Sequence, residues 1–250
     1  MFLEVKGLTK RFGGLLAVNQ LDLTVNKGEI AGLIGPNGAG KTTTFNLITS
    51  VLQPTKGRVI FNGEDITYDK PHVIARKGIA RTFQLNPLFG DFDVLQNVST
   101  AFYISDTSNL FDMYFNTNKH RRNQKMIMEK SHEIIKMLGL EQVKNVLARN
   151  LPHGHQKMLG IARALAAEPQ LLLLDEPIAG MNPDEVEAIL KAINKIHEQG
   201  ITVLVIEHNM MMMDICNRVI VMNFGQKIAE GTPQEIRDNE EVQSAYLGGV

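Results

Sequence analysis

The stretch Gly35-Pro36-Asn37-Gly38-Ala39-Gly40-Lys41-Thr42 places three glycines, a lysine and a hydroxyl at a spacing suited to phosphate chemistry. It fits the pattern G-x-x-x-x-G-K-[ST], with Thr43 directly behind it. Glycines let the backbone turn tightly, so that successive N–H groups converge on phosphate oxygens. A helix beginning near Gly40 adds its positive end. In this arrangement Lys41 serves the β- and γ-phosphates of a nucleoside triphosphate, and the Thr42 hydroxyl is a ligand for Mg²⁺.

A second chemical group closes the run Leu171-Leu172-Leu173-Leu174-Asp175-Glu176. A strand apolar on both faces belongs inside a covered parallel sheet. Such sheets bind ligands beyond the carboxyl ends of their strands. Next to a phosphate loop, Asp175 is a candidate Mg²⁺ ligand, directly or through water, and Glu176 a candidate general base for an attacking water. Taken without that loop, the pair reads equally well as solvated loop acids. His208 follows a further apolar run, Ile201 to Ile206. Alone it reads as a satisfied strand-end histidine, just as Phe12 alone reads as a partly buried loop aromatic.

The elements that must hold these residues follow an α/β pattern of short apolar runs between amphipathic stretches. Leu21, Leu23 and Val25 alternate as in a half-buried strand. Glu29 to Ile34 is a compact strand feeding the glycine loop, and Gly40 to Ser50 reads as the helix after it. Arg58 to Phe61 runs into Asn62-Gly63, a hairpin turn signal. Further strands are expected at Gly78 to Phe83, Leu171 to Asp175, Ile201 to Ile206, Val219 to Met222 and Lys227 to Ala229. Helices are expected at Gly154 to Ala167, Asp184 to Glu198, and as one closing helix at Pro233 to Leu247. The segment from about 94 to 150 is rich in Asn, Lys, Met and aromatics, with helical periodicity over Met126 to Leu138. It reads as a helical subdomain inserted into a core of residues 1–93 and 151–250, the core that would carry the phosphate loop. The run Met210 to Met213 is contiguous, so it covers every side of a turn and reads as core filling.

Composition narrows the function. With 250 residues, 44 % hydrophobic and 21 % charged, the chain has the make-up of a globular domain. A net charge of −1 gives no basic excess of the kind nucleic-acid partners usually require. The single cysteine, Cys216, forbids an internal disulfide framework. The N-terminus Met1 to Lys6 lacks the basic-then-apolar form of a secretory signal. No apolar run approaches the roughly 20 residues that cross a bilayer, so if a membrane is served, another chain is expected to supply the span.

The order aromatic, phosphate loop, glutamine, helix-start signature, acidic strand, histidine resembles the ATP-binding subunits of ABC transporters over nearly the whole chain. The resemblance implies a P-loop NTPase fold of ABC type: a mixed central sheet flanked by helices, an antiparallel β part and the inserted helical subdomain. It implies that Phe12 stacks on adenine, and that Gln84, in Arg81-Thr82-Phe83-Gln84, approaches Mg²⁺ and the attacking water. Leu151 to Gln156 takes the signature position, Ala179 to Asn182 resembles the D-loop, and His208 resembles the histidine that contacts the γ-phosphate. The resemblance also implies that two such subunits, the same or related, pair head to tail around two ATP molecules. The resemblance implies that they work at the cytoplasmic face of the cell membrane on transmembrane permease subunits. Arg11 to Val18, Arg81 to Gln84, Leu151 to Gly154, Ala179 to Pro183 and Ala245 to Gly248 are similar to the ATPases of branched-chain amino acid importers. Lipopolysaccharide-export ATPases share some of these stretches. Soluble ABC ATPases of DNA repair or ribosomes are the competing class, and they differ by long coiled-coil insertions or tandem ATPase domains.

The chain departs from the family's usual Leu-Ser-Gly-Gly-Gln: it has Leu151, Pro152, His153, Gly154 and His155. The serine hydroxyl is missing, and Pro152 has no N–H to offer. Proline is nonetheless at home in a first helical turn. The N–H groups of His153, Gly154 and His155 can still receive phosphate, and a protonated His153 or His155 would add positive charge towards the partner's ATP. Asn182 stands where many relatives carry an acid. Leu85 to Leu95, with Pro87, Leu88, Phe89, Phe92 and Val94, is the candidate surface for the permease.

Overall fold

The computed structural model describes residues 1–83, 88–102 and 117–247. Gln84 lies outside the described residues, as do Leu85 to Pro87 and the last three residues.

The chain divides into two compact units, Met1–Arg81 with Gln170–Val250, and Thr82–Pro169. The first unit holds two sheets. Strands β1 (Leu3–Phe12), β2 (Leu15–Val25), β4 (Lys56–Phe61) and β5 (Glu64–Asp65) form an antiparallel sheet in the order β2-β1-β4-β5. In β2 the alternation read from sequence is real: Leu21, Leu23 and Val25 are buried while Asp22 is exposed. The β4–β5 turn is made by Asn62 (φ 51°) and Gly63 (φ 81°), the pair of left-handed residues a tight hairpin needs.

The second sheet contains β3 (Ile30–Ile34), β6 (Ile79–Arg81), β7 (Leu171–Asp175), β8 (Thr202–Glu207), β9 (Arg218–Asn223) and β10 (Gln226–Gly231) in the order β10-β9-β3-β8-β7-β6. All its pairs are parallel except the edge pair β9–β10. Every residue of β3, β7 and β8 is buried, as expected of strands covered on both faces. Leu33, Phe45, Phe61, Leu173, Leu204 and Ile220 share one core cluster. Helices α1 (Lys41–Ile48) and α2 (Pro71–Arg76) belong to this unit.

In the unit Thr82–Pro169, α3 (Val94–Phe102) packs against α4 (Asn118–Met137) and α5 (His153–Leu165). That packing groups residues 151–169 with the helical segment, where composition put the boundary near 150. Asn97, fully buried, holds the preceding loop: its amide nitrogen donates to the carbonyls of Phe89, Phe92 and Asp93, and its oxygen accepts from the Phe89 N–H. Phe89 and Phe92 remain exposed, with ring centroids 5.3 Å apart, but Val94 is completely buried and serves the core, not a surface.

The first unit closes with α6 (Pro183–Glu198), α7 (Pro233–Arg237) and α8 (Glu240–Leu247). The single closing helix expected from sequence is thus two. The break falls at Asp238-Asn239, where the Asn239 side chain accepts from the Val242 N–H and starts a new helix. The four methionines begin a 3₁₀ turn, Met210–Ile215, in which Met212 and Met213 are buried. Among the described residues no helix is long and apolar enough to cross a membrane.

Candidate active site

The glycine loop connects β3 to α1, and the surrounding backbone explains its glycines. A Cβ on Gly35 would lie 2.1 Å from the Met222 carbonyl oxygen, and one on Gly40, at φ 98°, would lie 2.4 Å from that of Ala17. No other residue fits either place. Gly40 is the N-cap of α1, so the helix's first N–H groups open onto the loop. Lys41 is buried, and its Nζ donates to the Gly35 and Pro36 carbonyls at 2.7 and 3.0 Å. The ammonium is therefore held inside the curve of the loop. Burial lowers the Lys41 pKa from its ordinary value, while the charges of Glu176, Glu207 and Asp175 pull it back up.

Residues 37–43, Glu176, Phe12, Leu15 to Ala17 and Phe224 line one cavity of about 400 Å³. Its apolar wall contains Phe12, 45 % exposed; its polar end contains Lys41, Thr42, Thr43 and Glu176.

Glu176 follows β7 with φ 47°, a left-handed conformation uncommon for a side chain of its size. Its N–H donates to the Ile206 carbonyl of β8 at 3.0 Å, which fixes the turn. Strain of this kind, stored where neighbouring strands over-determine it, concentrates at functional sites. His208, just past β8, has its Nδ1 3.7 Å from Glu176 Oε1 and 3.8 Å from Glu207 Oε2.

Three residues absent from the sequence-based site belong to this cluster. Glu207, fully buried, accepts from the N–H groups of Ile178 and His208. Burial pushes its carboxyl above the usual range, and these N–H donors oppose the push. An acid ending an apolar run beside His208 was a signal of the same kind as Asp175-Glu176. Arg81 at the end of β6 pairs with Asp175, 2.7 Å between Nη2 and Oδ2, both side chains buried; its Nη1 donates to Asn46 Oδ1 at 2.6 Å. Asp175 is therefore a structural partner as well as a candidate metal ligand. Tyr246 of α8 carries its buried hydroxyl to the Gly35 backbone, short of full hydrogen-bond geometry, and near Glu207. Burial first, then the Glu207 charge, push the phenol up to about 12. Neither Arg81 nor Tyr246 has a sequence signal for its place here, because both arrive by long-range folding.

For Mg²⁺ the donor chemistry fits. Thr42 and Glu176 bring oxygen to the cavity, and Asp175 ends the same strand one residue earlier. Hard oxygen donors beside a phosphate loop suit Mg²⁺, which keeps water and phosphate oxygens as ligands. Among the described residues no group of three or more His, Cys, Asp or Glu could hold a metal on its own.

In the other unit, α5 starts at His153 with Pro152 as N-cap (φ −55°, ψ 154°), one position before the first-turn place expected. Leu151 is buried, His153 exposed, and Gly154 and His155 half-buried. Gln156 closes the turn, its N–H on the Pro152 carbonyl and its side chain on that of Leu151. Asn182 caps α6: its side chain accepts from the Glu185 N–H at 3.0 Å and Glu185 returns the bond at 3.1 Å. That reciprocal cap suits a neutral amide at this position.

A glycine loop running from a buried parallel strand into a helix, with carboxylates at the end of a strand nearby, defines a nucleotide-binding protein of the P-loop class. The chain belongs to the ABC transporter family, which matches residues 18–179, and its residues 226–250 match the branched-chain amino acid ATP-binding cassette transporter family. It is 43 % identical to the high-affinity branched-chain amino acid transport ATP-binding protein BraF of Pseudomonas aeruginosa, over 98 % of this chain and 97 % of that one. Its structure is similar to the ADP conformation of MJ1267, an ATP-binding cassette of an ABC transporter (TM-score 0.85, 32 % identity, 99 % and 98 % covered). It is also similar to the dimeric post-hydrolysis structure of the cassette MJ0796 with ADP and Pi (TM-score 0.79, 25 % identity, 93 % and 99 % covered).

Proposed function

We propose that the chain binds ATP with Mg²⁺ in the 400 Å³ cavity and hydrolyses it to drive import of branched-chain or related amino acids. One observation carries the reading: the Lys41 ammonium lies inside the glycine loop, in one cavity with Glu176 at its polar end and Phe12 at its apolar end. The backbone of residues 35–43 and the start of α1 grip the phosphates, and Lys41 neutralises the β- and γ-oxygens. Thr42 and Asp175, with Gln84, would hold Mg²⁺, which would supply charge neutralisation at the phosphates when bound. Glu176 accepts the proton of the attacking water, and His208, 3.7 Å away, aligns that carboxylate and reaches the γ-phosphate. Most of the rate comes from position and charge, because phosphoryl transfer asks little covalent chemistry of the protein.

The start of α5, with His153, Gly154 and His155, contacts the ATP of a second ATP-binding subunit, the same or a related chain. The dimeric form of MJ0796 supports such pairing. Permease subunits supply the membrane span, and the chain works at the cytoplasmic face of the membrane as a peripheral subunit. Exposed Phe89 and Phe92 belong to the described part of the docking surface. The amino acid cargo is supported by the C-terminal family match and by BraF.

The test is phosphate release by the wild-type chain and by Lys41→Ala, each alone and with its co-purified membrane subunits. Turnover is expected to fall at least about a hundredfold in the variant. Equal turnover in both sinks the reading.

A further inference from the structure

Phe224, in the turn between β9 and β10, is not explained by packing. It is 85 % exposed, and its φ of 43° lies in the left-handed region. Turns of this kind normally take Asn, Asp or Gly, since a bulky side chain meets steric resistance there. Water does not favour an exposed phenyl ring, and the backbone does not favour its position.

The turn is held firmly against the phosphate loop. The Gly225 N–H donates to the Ala39 carbonyl at 3.0 Å, and the Gly225 carbonyl accepts from the Asn19 N–H at 2.8 Å. The turn's backbone is thus tied to the backbone of the loop, and Phe224 lines the loop's cavity together with Phe12 and Leu15. Phe12 and Leu15 are themselves 45 % and 66 % exposed. The cavity is lined by the Lys41 ammonium, the Thr42 and Thr43 hydroxyls, the loop backbone and the Glu176 carboxylate, and also by incompletely covered apolar groups. A ligand matching both sets of groups has an anionic tail and a flat apolar head.

We propose that Phe224 is a second wall of the base site, so that the nucleobase of bound ATP lies against Phe224 as well as Phe12. The inference rests on the ATP reading given above. It gives the strained turn a purpose, since burial of a base against the ring recovers free energy that the free chain lacks.

The full-length chain with Phe224→Gly tests this. Glycine suits φ 43°, so the melting temperature of the variant is expected to be equal to or above that of wild type. Affinity is measured for Mg-ATP and for Mg-tripolyphosphate, which has the anionic tail without the base. The variant is expected to lose about fivefold or more in ATP affinity and to keep its tripolyphosphate affinity within about twofold, the loss characteristic of base stacking. The chain has no tryptophan, so in Phe224→Trp the emission of the sole indole is expected to shift with ATP and not with tripolyphosphate. Unchanged ATP affinity in Phe224→Gly, or equal losses for the two ligands, overturns the proposal. If ATP affinity is unchanged while self-association weakens, the ring serves a contact with a second copy and the proposal fails. A wild-type chain that binds neither ligand sinks the ATP reading and this inference together; a wild type that binds both while the Gly variant matches it sinks this inference alone.

Discussion

Helices α1 and α5 both open on glycine-bearing turns, and the two starts are built in opposite ways. Before α1 the backbone is contorted: Gly35, Gly38 and Gly40 all have positive φ, and Lys41 folds back onto the loop's carbonyls. The matching strand ends add Glu176 in a left-handed conformation and the buried Glu207. Before α5 the backbone is ordinary. Pro152 is extended, it makes no side-chain cap bond, and the exposed His153 follows. A contorted, cross-braced turn is shaped by its own unit for a specific ligand. An ordinary helix start offers a dipole and N–H groups to whatever is brought to it, which suits a contact supplied by a second subunit.

This contrast can be broken by experiment. The largest effect belongs to Glu176→Gln, which keeps shape and removes the base: turnover should fall by about 10² to 10⁴, with ATP affinity retained in a binding titration. A variant that turns over normally would remove the strand end from the chemistry. Gly40→Ala comes next. Its methyl would meet the Ala17 carbonyl at 2.4 Å with φ at 98°, so unfolding free energy should drop by about 2 kcal/mol or more, read from denaturant melts.

Glu207 gives a pH test of the bracing. A buried carboxyl with a raised pKa favours the native state while protonated. Its contribution is full below the ordinary glutamate pKa and is lost as pH rises through the raised value. Glutamine does not titrate, so the melting temperature of Glu207→Gln minus that of wild type should increase as pH rises above the ordinary glutamate pKa of about 4.3. A flat difference would mean that Glu207 does not titrate abnormally. The smallest effect is at the ordinary turn. Pro152→Ser introduces a preferred N-cap where no side chain caps now, and should stabilise the chain by about 0.5 to 1 kcal/mol. Destabilisation instead would show that the proline start is as tightly specified as the glycine loop.

Much of the site was legible because its signals are contiguous. Eight residues spell the phosphate loop, and the five apolar-to-acid residues of β7 were read to the residue. Asn62-Gly63 announced its hairpin. The split between α7 and α8 was not legible, since Asp238-Asn239 only acts as a boundary when the Asn239 side chain turns to cap the next helix. The Arg81–Asp175 pair spans 94 positions in sequence, and no local pattern announces it.

By itself the sequence determined which backbone could grip phosphates and which strand would carry acids to a sheet edge, because glycine freedom and apolar periodicity are local properties. Only the tertiary structure decided who their neighbours are: Arg81 on Asp175, Glu207 at the Ile178 and His208 N–H groups, and Tyr246 near Gly35. Those contacts depend on the order in which β3, β8 and β7 lie side by side and on where α8 comes to rest. They are set by how whole faces bury each other, which no short stretch of residues specifies.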